Sequence, residues 1–188
     1  DHIDKLEVHY LSNPDGYVHF ALLSDWKDSN QEINLPDNDL LDIAINGIEG
    51  LNTRYGTLAN GEKRFFLFHR ERRWNQKENK WMGWERKRGK LHEFNRLLRG
   101  AKDTSYIPLD DQEEILIPSN VKYVVTLDAD TRMPMALVKQ LVGTMAHPLN
   151  VPRLDPDTKR VVEGYAILQP KVMASLPSRT NSSIFQRL

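Results

Sequence analysis

Two carboxylates one residue apart, in Leu127-Asp128-Ala129-Asp130-Thr131, follow directly on the apolar run VKYVVTL. If the backbone stays extended across 128–130, strand alternation turns Asp128 and Asp130 to the same side, where they can share a divalent cation. Carboxylate oxygens suit Mg²⁺ or Mn²⁺, and the oxygens of a diphosphate complete such a shell. A cation held there neutralises charge on a departing nucleotide diphosphate. The plainer alternative is a solvated turn in which Asp130 caps the next helix.

A second concentration of chemistry lies in Trp84-Glu85-Arg86-Lys87-Arg88-Gly89-Lys90-Leu91, where four cations surround a glycine at a predicted helix start. Free N–H groups at such a start also favour anions, so the segment reads as a diphosphate or sugar clamp or, more plainly, as a solvated face. It is not a P-loop: five residues separate Gly83 from Gly89, and Leu91 stands where a Mg²⁺-binding hydroxyl belongs. Asp25, in SDWKDS, could accept a hydrogen bond from a nucleobase or ribose with Trp26 nearby for stacking, or form a strand-end turn with Asp28. Trp74, Trp81 and Trp84 could line a sugar surface or pack partly into a core. Glu163 follows two valines on a predicted strand and reads as structural, with a carboxylate near the site as the alternative. The six histidines show no HxH or HExxH spacing, which argues against zinc, and no GxSxG elbow appears.

Several elements must position these residues. Residues 17–24 read as a buried strand that stops at Asp25. Apolar residues at 41, 44, 45, 48, 51 and 55 form a helical stripe, with Asp37, Asn38 or Asp39 available as N-cap. Residues 64–69 are strand-like, and 70–84 read as a polar hairpin carrying three tryptophans. Leu91, Phe94, Leu97, Leu98 and Ala101 define a second amphipathic helix closed by Gly100. The run VKYVVTL predicts a strand ending at Asp128. Pro134 suits the first turn of a helix with the stripe Leu137, Val138, Leu141, Val142 and Met145. Residues 148–160 read as a loop and 161–169 as a strand. This alternation predicts an α/β domain with a mainly parallel sheet, in which ligands gather beyond the carboxyl ends of the strands. Asp25 and Asp128 both sit where a predicted strand runs out.

Composition sets the outer bounds. The chain has 188 residues, 39% hydrophobic and 28% charged, which suits one domain with a real core and is too apolar for disorder. No run approaches the roughly 18 apolar residues of a membrane span. The lack of cysteine excludes disulfides and thiolate metal sites. Net charge is zero but unevenly spread: residues 62–99 carry thirteen Lys/Arg against five Asp/Glu, while 1–61 carry three against eleven. An anionic ligand near the middle segment is one consequence, a solvated basic face the other.

The segments HFALLSDW, WMGWERKRGKLHEFNRLLRGA, YVVTLDADTRMP and VVEGYAILQPKV together resemble the glycosyltransferase region of cyclic β-1,2-glucan synthases, over essentially the whole chain. Those are very large bacterial inner-membrane proteins that polymerise glucose from UDP-glucose. The resemblance implies a GT-A-like (Rossmann-like), mostly parallel sheet flanked by helices. It makes residues 1–188 a single partial glycosyltransferase domain, truncated at both ends, that lacks the first nucleotide-binding strand and the C-terminal catalytic portion. The structured look of both termini and the missing initiator methionine agree with that expectation. By the same resemblance, Asp25 contacts the uridine moiety, Arg88 and Lys90 lie near the nucleotide and donor sugar, and Asp128 and Asp130 hold the Mg²⁺ or Mn²⁺. Gln169, with Pro170, approaches the acceptor side. The implied partners are UDP-glucose, a glucan acceptor and the remainder of a membrane-embedded synthase, with no nucleic acid, at the cytoplasmic face of the bacterial inner membrane. No residue matches the family's catalytic base, which the resemblance puts beyond Leu188, so weak or no turnover is expected of these residues alone. Two rival readings are a nucleic-acid-binding module using the basic and aromatic segment 62–99, and a structural fragment with no independent activity.

Overall fold

The computed structural model describes residues 1–109 and 113–170, which fall into two compact units, the first running from Asp1 to Val138 and the second beginning at Lys139.

The first unit is organised around a short parallel sheet. Strand β1 (Phe20–Asp25) pairs with β2 (Phe65–Arg70) in the register Phe20–Phe65 through Asp25–Arg70. The connection between them carries helix α2 (Pro36–Tyr55). Helices α1 (His2–Ser12) and α2 cover one sheet face, where Ile3, Leu6, Tyr10, Ile48 and Leu51 pack on Phe20, Phe65 and Leu67. On the other face, Phe94 and Leu97 of helix α3 (Arg86–Leu97), with Tyr106, Ile115 and Ile117, pack on Phe66 and Phe68. Covered on both sides, β2 is buried along its whole length, and its sequence FFLF is accordingly continuous rather than alternating in hydrophobicity.

Most predicted elements are present. All six positions of the α2 stripe are buried or half-buried, and residues 70–84 contain the antiparallel pair β3 (Arg73–Asn75) and β4 (Lys80–Met82). The N-cap of α2 is Leu35 rather than Asp37, Asn38 or Asp39, because Pro36 takes the first helical position. Asp37 instead turns inward to a buried ion pair with Arg72. Helix α3 starts at Arg86, earlier than its apolar stripe, and the turn beyond it contains Gly100 at φ 87°. Helix α4 (Leu137–Ala146) begins three residues after Pro134, with Leu137, Val138, Leu141, Val142 and Met145 all at least half-buried.

The mainly parallel sheet is the largest difference. Among the described residues there are three two-stranded sheets, and only β1–β2 is parallel. Residues 121–127 form no strand: Val121, Tyr123, Val124, Val125 and Leu127 are 37–41% exposed, and the run pairs with no other segment among the described residues. Apolar alternation supplies a face for burial, but a strand also needs a neighbour's N–H and C=O groups. Among the described residues the architecture is therefore mixed helix and strand around a small parallel sheet, rather than the broad Rossmann-like sheet expected.

In the second unit, β5 (Arg153–Leu154) lies inside the predicted loop and pairs antiparallel with β6 (Val161–Glu163). The strand expected over 161–169 stops at Glu163, because Gly164 adopts φ 70° with a would-be Cβ only 2.2 Å from the Val151 carbonyl oxygen. Arg153 grips Glu163 with two hydrogen bonds of 2.9 and 2.6 Å, in keeping with a structural Glu163. No described helix is long and apolar enough to cross a membrane.

Candidate functional site

The carboxyl ends of β1 and β2 bring together the last two residues of each strand as cross-strand partners, Ser24 with His69 and Asp25 with Arg70. Because both strands run in the same direction, these polar ends emerge on one edge of the sheet, where α/β folds commonly hold their ligands.

Arg70 is the centre of this cluster. Its side chain is wholly buried, and its guanidinium donates from Nε to Asp25 Oδ1 (2.6 Å) and from Nη1 to Glu93 Oε2 (2.8 Å). It also donates to the carbonyls of Trp84 (3.0 Å) and Arg86 (3.1 Å), which fixes the start of α3 against the sheet. Burial opposes the guanidinium charge, but the Asp25 and Glu93 carboxylates outweigh it and leave its pKa raised. Glu93, 3% exposed, also accepts from the Ser105 N–H (3.0 Å) and hydroxyl. Burial pushes its pKa up, yet the hydrogen bonds from Ser105 and Arg70 prevail and hold it below the ordinary value.

Asp25 has a second cation, Lys90 Nζ, 2.9 Å from Oδ2. The expected site residues Asp25 and Lys90 thus meet, although 65 positions separate them, and both keep partial exposure. Two oxygens with one cation each retain lone pairs for a further donor. Gly83 closes over the pair: a Cβ there would lie 2.8 Å from Arg70 Nη2 and 3.0 Å from Asp25 Cγ.

Beside this pair, the His69 Nδ1 lies 2.8 Å from Ser24 Oγ, while its buried Nε2 has no partner among the described residues. Burial lowers the imidazole pKa to about 4, so the ring is neutral near pH 7. Trp26 meets the edge of this ring at 4.1 Å between centroids and has Arg72 over its own ring. Arg72 is buried against Asp37, whose carboxyl it holds below the usual range.

The remaining expected residues are placed differently. Residues 128–131 do not stay extended: Ala129 and Asp130 form a turn closed by the Thr131 N–H on the Asp128 carbonyl (2.9 Å). Strand alternation therefore does not align Asp128 with Asp130. The turn is tied to α1 by Lys5 Nζ on the Ala129 carbonyl (3.2 Å), and the Asp128 carboxylate pairs with Lys87. Both acidic residues are exposed. Among the described residues no group of three or more His, Cys, Asp or Glu side chains could hold a metal ion. Two exposed carboxylates supply hard oxygen donors but only part of a shell, which fits a cation that brings diphosphate or water ligands with it.

Arg88 is exposed and pairs with Glu85 (2.7 Å) rather than with Asp25. Gln169, exposed, belongs to the second unit. The four cations at the start of α3 all face carboxylates: Arg86 with Glu78 and Asp28, Lys87 with Asp128, Arg88 with Glu85, and Lys90 with Asp25. They neutralise fixed acids before any ligand arrives.

Arg70, Glu93, Ser24 and His69 were missed by the sequence reading. Glu93 offered a signal: it lies one turn before Leu97, on the apolar face of α3, where an acid requires a buried cation. Arg70 offered another, as a guanidinium in a strand that opens with the apolar run FFLF.

No protein-family model matches the chain. It is 50% identical to cyclic beta-(1,2)-glucan synthase NdvB of Rhizobium meliloti (strain 1021) over 192 residues, an alignment that takes in 100% of this chain and 7% of that relative. Identity at that level, sustained from one end of the chain to the other, identifies these residues as a portion of the cyclic β-(1,2)-glucan synthase family.

Proposed function

We propose that this chain is the nucleotide-sugar-binding part of an inverting glucosyltransferase that uses UDP-glucose to build a β-1,2-glucan. The observation that carries the reading is the meeting of Asp25 and Lys90 at the shared carboxyl edge of β1 and β2, in a chain half identical to a glucan synthase. An anchored carboxylate can accept from a base or ribose, and a partly exposed ammonium can face a phosphate.

In this reading Asp25 orients the uridine moiety, its carboxylate held by Arg70 so that little reorganises on binding. Lys90 and Arg88 face the diphosphate, exchanging their present carboxylate partners for it. Asp128 and Asp130 would hold Mg²⁺ or Mn²⁺, which when bound supplies positive charge to the departing diphosphate. The exposed ammonium of Lys87 on Asp128 is a displaceable stand-in for that charge. A glucose 2-hydroxyl then forms a bond to the anomeric carbon as the bond to UDP breaks, with inversion. The hydroxyl proton passes to a base that no residue of this chain is assigned. Gln169 faces the acceptor side, and the remainder of a membrane-embedded synthase completes the enzyme.

Calorimetry with UDP, with and without Mn²⁺, tests the reading. Binding should be strengthened by Mn²⁺, and Asp128→Asn should abolish the strengthening while circular dichroism stays unchanged. Undetectable or cation-independent binding of UDP by folded protein would refute it.

A further inference from the structure

The β3–β4 hairpin presents an unusual outer face. Its register pairs Arg73 with Met82, Trp74 with Trp81 and Asn75 with Lys80. Side chains alternate between faces, so Met82, which is 2% exposed, and half-buried Asn75 mark the face turned to the protein. The opposite face carries the two tryptophans. Their rings lie 5.8 Å apart at 61°, and Trp74 is 47% exposed. A solvent face ordinarily carries polar residues, because exposed indole gains nothing from water.

The tryptophans stand on a fixed frame. Trp81 exchanges two backbone hydrogen bonds of 2.9 and 2.8 Å with Ser29, and Asn75 Oδ1 accepts from the N–H groups of Lys77 and Glu78 at the turn. Arg86 joins that turn to the rest of the unit through Glu78 (2.5 Å) and Asp28 (3.0 Å). An aromatic surface ordered in advance loses little freedom when a ligand stacks on it.

Charge points to the kind of ligand. Arg73 is engaged by Glu71 (3.1 Å) and Arg86 by Glu78 and Asp28, so neighbouring guanidinium groups are already neutralised. Such a surface suits a neutral ligand with flat apolar faces and hydroxyl edges. Two residues beyond Trp81, Gly83 abuts the Asp25–Arg70 pair, so strand β4 leads into the proposed donor site.

We propose that the Trp74–Trp81 face is a saccharide-binding surface that holds a β-linked glucan chain by ring stacking beside the transfer site. The identity of the sugar rests on the function proposed above; the surface itself rests on the hairpin.

The test is titration of the protein with β-1,2-linked glucose oligomers, followed by calorimetry and tryptophan fluorescence, with UDP titrated separately. Saturable oligomer binding is expected, weakened about tenfold or more by Trp74→Ala and only partly by Trp74→Phe, with UDP binding unchanged. Oligomer binding that depends on Trp74 in a protein that fails to bind UDP would support the surface and remove the donor reading. Equal oligomer affinity in wild type and Trp74→Ala overturns the proposal, whether or not the variant's thermal midpoint falls. Absence of saturable binding in wild type that still binds UDP overturns it too, as does Trp74-dependent binding of single-stranded oligonucleotide in place of the glucan.

Discussion

Replacing Arg70 with methionine removes the one cation among the described residues that reaches both Asp25 and Glu93. Methionine fills similar volume, so the main effect is electrostatic rather than a cavity. Asp25 keeps Lys90 at 2.9 Å, but among the described residues Glu93 keeps only Ser105 while remaining 3% exposed. Breaking a buried pair by removing one partner costs about 3–5 kcal/mol, a large share of an ordinary domain's stability. The sign with pH follows from the remaining carboxylate. In wild type the Glu93 pKa is lowered, so its contribution is present above the unfolded value and lost as pH falls through the folded value. In Arg70→Met, burial dominates, the folded-state pKa rises above the unfolded one, and stability falls as pH rises between them. The deficit should therefore be larger at pH 8 than at pH 4.5. Urea unfolding followed by tryptophan fluorescence measures it, and Arg70→Met/Glu93→Gln should lose less than the sum of the single changes by about 1–3 kcal/mol. A deficit below about 1 kcal/mol at both pH values, or strict additivity of the double variant, would refute the view that Arg70 neutralises a buried acid.

His69 gives a second pH signature. Burial lowers its pKa from 6.5 to about 4, so the unfolded chain binds more protons in that interval and stability should fall as pH drops across it, by at most roughly 3 kcal/mol. His69→Asn should flatten that slope in urea midpoints taken at pH 7 and 4.5. At the start of α3, a Cβ on Gly89 would lie 2.0 Å from the Trp84 carbonyl oxygen, so Gly89→Ala should destabilise by roughly 1–3 kcal/mol in the same assay. Gly143→Ala, in open space within α4, should be neutral or stabilising by up to about 1 kcal/mol.

Local periodicity was a good guide where one segment's own pattern decides the outcome. The α2 stripe, the β2 run and the tryptophan hairpin were legible because spacing fixes which side chains share a face. Reading failed where a distant partner decides. The run 121–127 has the composition of a strand but lacks a neighbour among the described residues, and a strand exists only as half of a pair. The 128–130 stretch read as extended, yet one hydrogen bond from Thr131 bends it. Asp25 and Lys90 were each selected from sequence, but their contact, and the Arg70 and Glu93 groups behind it, depend on how β1, β2 and α3 come together. The basic surplus of 62–99 was likewise visible as a count, while its use in fixed ion pairs was not.

The continuous burial of β2 has a consequence for alignment. A strand with one wet side is held in place by its pattern, since sliding one position would expose every apolar side chain. Phe65, Phe66, Leu67 and Phe68 provide no such lock, because both sides of the strand are greasy and either would accept a neighbour's residue. The terminal His69 and Arg70, latched to Ser24 and Asp25, distinguish the correct setting from its neighbours at one end, and the Asn52 side chain on the Phe65 N–H and C=O does so at the other. The polar tip thus works as a detent for the whole sheet, and changes that blunt it should broaden the conformational spread of β2 itself.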